Sequence, residues 1–290
     1  MNYEEVASDC IDVARFAGGY LSEHYGKAIP REKMAVLPEG VDPATFNVVT
    51  DVDINLQREV IKRLMEKYGN FEYYGEEDPN KVFDLERDRE LINQIQNNRS
   101  KYQFVIDPLD GTGRYASRDA RHGFFLGLLE DNHFALSVGY NPKQDSLTHA
   151  IKGKGCFRNG KRFFFDSSVD DHVAINSKAD RNTGFKNDLI KENLFLMRPK
   201  HTGTMYDMLF LQYAQALISL KSNTHDHPLT LAVQEAGGSV LVYDGNDFVS
   251  GTDFDWRKES SKKDGNIPAI ICANSLDNVK KYADLALKHL

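Results

Sequence analysis

The chain has 290 residues, of which 41% are hydrophobic and 27% are charged, and its formal net charge at pH 7 is −7. These proportions are typical of a soluble globular protein, and the length allows one large domain or two packed halves. The negative charge argues against a nucleic-acid polymer or an anionic membrane as the main partner.

The sequence carries no signal for secretion, for a membrane span or for a disulfide framework. The N-terminus, Met1–Glu5, is acidic and lacks the basic and apolar regions of a signal peptide. No run approaches the roughly 18 apolar residues that span a bilayer. Cys10, Cys156 and Cys272 are far apart and form no CxxC pair, so we expect reduced, buried side chains. A cytoplasmic soluble protein is the prediction.

The N-terminal quarter predicts two helices joined by a loop. Apolar residues at three- and four-residue spacing indicate an amphipathic helix within residues 3–25. The proline content of residues 27–46 indicates a loop. A second helix is predicted from about Asp53 to Tyr68, with Asp51 or Asp53 placed to cap its N-terminus, and we prefer this capping role for Asp51.

The remaining chain predicts an antiparallel sheet and then strands that alternate with helices. A polar helix is expected within residues 87–99, and short alternating runs from 122 to 165 predict the sheet. The later strand-helix alternation indicates an α/β layer. We therefore predict an N-terminal α+β half (1–165) and a C-terminal α/β half (166–290).

One strand-like segment carries the most informative motif. An apolar run ends in Asp107 and Asp110, and Gly111 and Thr112 follow at once. A proline after Asp107 disfavours the α region there, and the glycine permits a sharp turn. Such a strand end can aim two carboxylates, the Leu109 carbonyl and a hydroxyl at one point, as Mg²⁺ or Ca²⁺ requires. The alternative is an Asx-turn that contains a glycine.

Further acidic segments occur along the chain, and together with this motif they show a family pattern. These segments are Asn47–Asp53, Tyr73–Glu77 and His225–Pro228, the last ahead of Glu235–Gly238. The ordered set resembles the magnesium-dependent, lithium-sensitive phosphatase superfamily typified by inositol monophosphatase. That family has an Asp, then Gly-Glu-Glu, then Asp-Pro-(Ile/Leu)-Asp-Gly-Thr, then Trp-Asp ahead of Glu-Ala-Gly-Gly. The resemblance implies its layered α-β-α-β-α sandwich, in which both halves share one active-site cleft.

The resemblance also implies two or three bound Mg²⁺ ions. Glu76, Asp107 and the Leu109 carbonyl would hold the first ion, and Asp107, Asp110 and Asp226 would hold the second. From the residues themselves, carboxylates gathered this closely repel one another without cations. The cluster therefore points to metal-assisted hydrolysis rather than to acid-base catalysis alone.

Further roles follow from the resemblance for residues around this cluster. Thr112, with Glu76, would orient and help to deprotonate the attacking water, and Asp53 would support Thr112. The backbone N–H groups of Gly111 and Thr112 would receive the phosphate, and Asp110 would also contact the substrate.

The remaining candidate positions are less settled. Gly203 and Thr204 match the turn that binds substrate hydroxyls in the family. Arg114, where the family has another residue, would bind a phosphate or another anionic group, and a surface arginine is the alternative. For Glu77 we prefer a role behind the ligands or facing solvent over a direct role at the site.

The sequence departs from the family pattern at several positions. Gln57 stands where the family commonly has Glu, and His225 replaces the Trp before the metal-binding Asp. Asp226 also lies one residue closer to Glu235 than the family spacing, so His225 is an alternative ligand. Ser219 and Leu220 lie where animal enzymes of the family have an inositol-contacting Glu, which argues against inositol as the substrate.

The leading hypothesis is a Mg²⁺-dependent phosphomonoesterase that forms a homodimer. Its substrate would be a small phosphorylated metabolite: inositol phosphate or a related polyol, sugar or nucleotide phosphate. The alternative is a catalytically silent homologue that acts as a binding or regulatory protein, and its motivation is the altered segment around His225.

Overall fold

The computed structural model describes residues 1–28, 30–31, 49–166, 171–197, 204–260 and 267–290. Most of the loop predicted for residues 27–46, and also Gly203, lie outside the described residues. The helices within the described ranges are α1 (Tyr3–His24), α2 (Asp51–Tyr68), α3 (Pro79–Val82), α4 (Arg89–Asn97), α5 (Thr112–Ala116), α6 (Ser177–Arg181), α7 (Thr183–Lys191), α8 (Met205–Phe210), α9 (Thr230–Glu235), α10 (Trp256–Ser260) and α11 (Leu276–Leu287).

The strands of the described ranges form two large sheets and one small ribbon. They are β1 (Pro30–Arg31), β2 (Val49–Thr50), β3 (Glu72–Gly75), β4 (Tyr102–Asp110), β5 (Gly123–Glu130), β6 (His133–Asn141), β7 (Ser146–Ile151), β8 (Gly155–Arg158), β9 (Lys161–Phe163), β10 (His172–Ile175), β11 (Phe195–Met197), β12 (Ala216–Ser222), β13 (Ser239–Tyr243), β14 (Phe248–Ser250) and β15 (Ile267–Ala273). The ribbon is the antiparallel pair β1–β2.

The first large sheet contains seven strands in chain order, from β3 to β9. Strands β3 and β4 are parallel, and every later neighbouring pair is antiparallel. The antiparallel part agrees with the alternating pattern of residues 122–165. Because β3 and β4 are parallel, their carboxyl ends meet at one edge of the sheet, where the acidic segments lie.

The second sheet contains six strands in the order β11-β10-β12-β15-β13-β14. Strand β10 is parallel to β11 and to β12, whereas the other pairs are antiparallel. All strands of the first sheet precede residue 164 and all strands of the second follow residue 171. The exact division at 165 and 166 into two halves stays a prediction.

Helices and sheets alternate in five layers, as predicted. Helices α1 and α2 bury apolar side chains such as Leu21 and Leu56 against one face of the first sheet. Helices α8 and α9 lie between the sheets, where Phe210 and Val233 are buried. Helices α7 and α11 cover the outer face of the second sheet. Each helix thus hides its apolar stripe against a sheet, which explains the amphipathic patterns of the sequence.

The three cysteines follow the expectation from their spacing. Cys10, Cys156 and Cys272 are free and buried. Burial raises the pKa of the Cys156 and Cys272 thiols to about 12. Such thiols behave as small apolar side chains, since the reactive thiolate is suppressed.

Candidate active site

A β-bulge near the end of β4 brings two aspartates to the same side of the chain. Asp107 pairs with Phe125 on β5, and Asp110 pairs with Gly123, so three steps on β4 oppose two steps on β5. Residues three apart on a regular strand point to opposite faces, and the extra residue of a bulge reverses this. The proline at 108 lacks an N–H group for the ladder and is tolerated at such an irregularity.

The bulged aspartates meet a third carboxylate from the second half of the chain. Asp107, Asp110 and Asp226 each offer a carboxylate oxygen, and these atoms all lie within 4.8 Å of one another. Asp226 belongs to a 3-10 helical turn, Thr224–Asp226, that follows β12. The N–H group of Asn223 donates to Oδ2 of Asp226 at 2.7 Å, which fixes the carboxylate.

A second carboxylate group lies at the end of β3. Asp53, Glu76 and Glu77 also present oxygens within 4.8 Å of one another. Glu77 is only 3% exposed, so the solvent-facing alternative for this residue is wrong. Glu76 lies with Asp53 and Glu77, and its charge also raises the pKa of Asp107, which indicates that the two groups are adjacent.

The backbone of this second group is held by an amide on α2. Gln57 accepts a hydrogen bond from Glu77 N–H at 3.0 Å and donates from Nε2 to the Glu77 carbonyl at 2.7 Å. A Cβ atom on Gly75 would approach Cδ of Gln57 to 2.4 Å, so glycine is required for this close packing. Gln57, noted in the sequence as a departure from the family pattern, is therefore a positioning residue for the acidic pair.

The cap of α2 differs from the sequence prediction. Thr50, rather than Asp51 or Asp53, is the N-cap, and its hydroxyl accepts from the N–H groups of Val52 and Asp53. Oδ2 of Asp53 accepts from the Thr50 N–H at 2.8 Å and from its hydroxyl, which completes a capping box. A threonine three residues before a carboxyl is the sequence signal for this motif, here with Asp in the place of Glu.

The other oxygen of Asp53 connects the cap to the strand-end motif. Oδ1 accepts a hydrogen bond from the Thr112 hydroxyl at 2.8 Å. The same hydroxyl lies 2.9 Å from the Leu109 carbonyl oxygen. Asp53 and Thr112 are 59 positions apart in the sequence, and both are buried. The structure thus brings together the Asp, the Thr and the carbonyl that the sequence predicted as neighbours.

Burial and like charge raise the pKa values of several carboxyls. Burial raises the pKa of Asp107 well above its usual range, and Glu76, Asp110 and Asp226 add to the shift. Burial, followed by the charge of Asp226, raises the pKa of Asp110 to about 7. Burial raises the pKa of Asp53 to about 6, although its hydrogen bonds oppose the shift. These carboxyls resist full ionisation unless positive charge joins them.

The donor set fits a hard divalent cation. Both groups offer carboxylate oxygens alone, without a His or Cys ligand, over the residues that the structure describes. Mg²⁺ prefers such oxygen ligands, whereas imidazole and thiolate suit Zn²⁺ and other transition metals. The residues present therefore fit the predicted metal.

The alternative ligand His225 lies beside this group and outside it. Its Nε2 atom is 3.6 Å from Oδ1 of Asp226, and its Nδ1 atom is 3.4 Å from the Tyr74 hydroxyl. Asp226, in contrast, contributes an oxygen to the cluster with Asp107 and Asp110. The altered sequence around His225 therefore keeps a carboxylate in the cluster, which weakens the case for a silent homologue.

The other predicted positions lie on two sides of the cleft. Gly111 adopts φ +87° and precedes α5, and a Cβ atom there would lie 2.7 Å from the Arg121 carbonyl oxygen. Arg114 is half-buried, and its charge lowers the pKa of Asp110 against the effect of burial. Thr204 is buried and caps α8 through Asp207. Its predicted contact with substrate hydroxyls stays a prediction.

The whole chain is similar to known proteins. An inositol monophosphatase from Dictyostelium discoideum is 25% identical over 253 residues, which are 82% of this chain and 85% of that protein. A solved structure of the suhB extragenic suppressor protein from Bartonella henselae is 18% identical with a TM-score of 0.74, and the match covers 99% of this chain and all of that one.

A solved IMPase/NADP phosphatase complexed with Mg²⁺ and phosphate is 17% identical with a TM-score of 0.71, over 97% of this chain and 96% of that chain. Structures this distant in sequence support the fold alone.

No helix among the described residues has the length and apolar character to cross a bilayer.

The family comparison covers nearly the whole chain. A model of the inositol monophosphatase family matches residues 2–287. The predicted family, the layered fold and the class of phosphoric monoester hydrolase are thereby confirmed. The chain belongs to the inositol monophosphatase family.

Proposed function

We propose that the protein is a Mg²⁺-dependent phosphomonoesterase that hydrolyses a small phosphorylated metabolite with a metal-activated water. The observation that carries the proposal is the pair of adjacent all-oxygen carboxylate groups, with the Thr112 hydroxyl hydrogen-bonded to Asp53 beside them. The Mg²⁺ and phosphate bound by the IMPase/NADP phosphatase of similar fold are consistent with it.

The ligand assignment is the one that the family resemblance implies. Glu76, Asp107 and the Leu109 carbonyl would hold one ion, and Asp107, Asp110 and Asp226 would hold another. When bound, the ions supply Lewis-acid polarisation of the phosphate and a lowered pKa of water. The chain itself contributes rigid placement of these oxygens, since Asp107 also accepts from the Leu109 N–H at 3.0 Å.

The hydroxyl of Thr112 has one proton for two acceptors. It lies 2.8 Å from Asp53 Oδ1 and 2.9 Å from the Leu109 oxygen, so it donates to one of them at a time. An ionised Asp53 favours donation to itself and leaves the Leu109 carbonyl open. The lone pairs of Thr112 can then accept a hydrogen bond from a water and orient it for attack; when the water gives its proton to Thr112, the hydroxyl proton passes to Asp53.

The phosphate would bind where the chain turns into α5. Gly111 in the left-handed conformation begins this turn, and the first N–H groups of a helix have no partner within it. Arg114, which acts on Asp110 electrostatically, can approach the same anion with its planar guanidinium. These groups would stabilise the charge that develops during phosphate transfer.

A phosphate-release assay tests the proposal. Inositol 1-phosphate, sugar phosphates and nucleotide phosphates would be incubated with Mg²⁺ and, in parallel, with excess EDTA. We expect release from at least one substrate, lost in EDTA and restored when Mg²⁺ is added back. Full activity after exhaustive chelation, or no release from any substrate with Mg²⁺, would contradict the proposal.

We further propose, from the sequence, a cytoplasmic location and a homodimer. Light scattering on the purified protein would measure its mass against the 32.9 kDa of one chain. A mass of one chain at all concentrations would contradict the dimer.

A further inference from the structure

A cavity beside the carboxylates ends in two lysines. It has a volume of about 200 Å³ and is lined by Asp110 and Asp226 together with Ser219, Lys178 and Lys221. The acidic end would hold the metal ions and the phosphate under attack. Because the same cavity is also lined by the lysines, the rest of a substrate would extend past Ser219 toward them.

The first lysine is held at the rim by a hydrogen-bonded cap. Asn176 caps α6 by accepting from Ala179 N–H at 2.8 Å, and its Nδ2 atom donates to Ser219 Oγ at 2.9 Å. These bonds connect the start of α6 to β12. Lys178, two residues further on, donates from Nζ to the Lys221 carbonyl. An ammonium has three N–H donors, so this contact leaves donor capacity for a ligand.

The second lysine has an unusual backbone conformation. Lys221 lies within β12 and adopts φ +50°, in the left-handed region that residues with a Cβ atom avoid. Its side chain is exposed. Unfavourable backbone conformations persist where the surrounding structure enforces them, and they cluster at binding sites. Here the deviation occurs at the rim of the cavity.

The positive charge continues beyond the two lysines. A second cavity, of about 560 Å³, shares Lys178 and Lys221 with the first and is also lined by Arg181 and His289. Among the described residues, no Asp or Glu side chain lines this second cavity. The nearby Asp188 already contacts His289 at 2.9 Å. A chain with a net charge of −7 thus places Lys178 and Lys221, followed by Arg181, beside the cavity that Asp110 and Asp226 line.

We propose that Lys178 and Lys221 form a second anion subsite, and that the substrate carries a second phosphate group bound there during hydrolysis of the first. This inference rests on the proposed phosphatase function and adds the substrate class. The competing explanation is that the lysines only offset the charge of Asp226 and its neighbours. The two explanations differ in whether a second phosphate on the substrate matters.

Matched substrate pairs test the subsite. Inositol 1-phosphate would be compared with inositol 1,4-bisphosphate, and fructose 1-phosphate with fructose 1,6-bisphosphate, through kcat/KM in Mg²⁺. We expect at least one bisphosphate to be preferred by about 10-fold or more, the scale of a charge-assisted hydrogen bond. This preference should fall as ionic strength rises, because salt screens an exposed cationic subsite.

Charge-removing variants locate the preference. Lys178→Met and Lys221→Asn should each reduce the bisphosphate preference by about 10-fold, through a larger fall in kcat/KM for the bisphosphate than for the monophosphate. Asparagine tolerates the left-handed conformation at position 221. Lys178→Arg should retain the preference. Lys161→Met removes an exposed lysine from the first sheet and is the matched control.

A binding measurement separates this inference from the phosphatase proposal. Calorimetry on the Asp107→Asn protein, with and without Lys178→Met, would compare the dissociation constants of the bisphosphate and the monophosphate. Tighter binding of the bisphosphate that depends on Lys178 would support the subsite even if no substrate is hydrolysed. Equal binding and equal kcat/KM for both members of each pair would overturn it. The subsite would also be overturned if Lys178→Met changed only the Mg²⁺ requirement.

Discussion

The two ends of the cleft are built in different ways. At the acidic end Asp53 and Asp107 are at most 1% exposed, and hydrogen bonds from caps and a bulge fix them. At the basic end Lys178 and Lys221 are exposed, and a bond to one backbone carbonyl joins them. The acidic end can change little without loss of its chemistry. The basic end can change its charge while the fold persists, which suits a site that selects the substrate.

The two ends also have opposite electrostatic demands. Burial and mutual repulsion raise the pKa values of Asp107 and Asp110, so the acidic end needs cations to ionise fully. The lysines line the same cavity and supply positive charge there. A substrate with one phosphate at each end would satisfy both. Variants that affect one end and spare the other would sharpen this comparison.

The largest expected effect is at the acidic end. Asp107→Asn keeps the shape and the acceptor for the Leu109 N–H but removes a charge that both proposed ion sites share. We expect kcat to fall by at least about 10²–10³, the cost of one strong electrostatic stabiliser. Phosphate release measures kcat, and circular dichroism confirms the fold. Asp131→Asn, in an exposed turn at φ +54°, is the matched control.

An unchanged rate in a folded Asp107→Asn protein would break the comparison, because the chemistry would then lie elsewhere. The same variant should raise the thermal midpoint of the metal-free protein, since it removes a buried carboxyl that repels its neighbours. A lowered midpoint would indicate that the Asp107 carboxylate stabilises the fold even without metal.

A smaller effect is expected where the chain orients water. Thr112→Val keeps the β-branched shape but removes the hydroxyl that donates to Asp53. We expect kcat to fall about 10²-fold, at the lower end of the usual range for positioned proton transfer. Thr112→Ser, which keeps the hydroxyl, should stay within a few-fold of the unmodified protein. If Val and Ser behave alike, the hydroxyl has no part in turnover.

The next comparison is between Asp226 and its neighbour His225. Asp226→Asn retains an acceptor for the Asn223 N–H and removes the charge from the cluster. We expect its Mg²⁺-dependent kcat/KM to fall at least about 10-fold more than that of His225→Ala, because metal sites are sensitive even to their supporting groups. Titration with Mg²⁺ and Mn²⁺ measures the metal preference. The reverse ranking would make His225 the ligand.

The acidic end could be predicted from the sequence because its residues lie in short motifs. Asp107, Asp110 and Thr112 lie within six positions at the end of one strand. The alternation of strands and helices predicted an α/β layer, and the family resemblance implied the layered sandwich. The roles of these residues are still predictions, which the variants above test. The predicted N-cap of α2 was wrong. The N-cap is Thr50 and not Asp51, although the pattern Thr-x-x-Asp of a capping box was present in the sequence.

The basic end could not be predicted because it depends on strand order. Asn176 and Ser219 are 43 positions apart, and they meet because β10 lies next to β12 in the second sheet. No periodicity in the sequence encodes that order. The two hydrogen bonds between Gln57 and Glu77, which are 20 positions apart, likewise depend on the fold. Contacts between distant elements require the fold, whereas contacts within a turn require only the local sequence.

The smallest expected effect concerns stability, and it too distinguishes the ends. The pKa of Asp53 is raised to about 6 and that of Asp110 to about 7, both from 3.8. A carboxyl with a raised pKa binds its proton more tightly in the folded state, so its contribution to stability is complete below 3.8 and is lost as pH rises through 6 to 7. The thermal midpoint of the metal-free protein should therefore fall by a few degrees across this interval.

Mg²⁺ should reverse this loss. Metal binding requires ionised carboxylates, so the gain in thermal midpoint on adding Mg²⁺ should be larger above pH 7 than at pH 5. Differential scanning fluorimetry with EDTA or Mg²⁺ measures both trends. Lys178→Met should leave the pH dependence of the thermal midpoint nearly unchanged, because it acts at the other end of the cleft. Asp110→Asn should weaken that dependence. A midpoint in EDTA that stays level or rises across the interval would show that these carboxyls do not repel one another in the folded protein, and the contrast between the two ends would then lose its electrostatic basis.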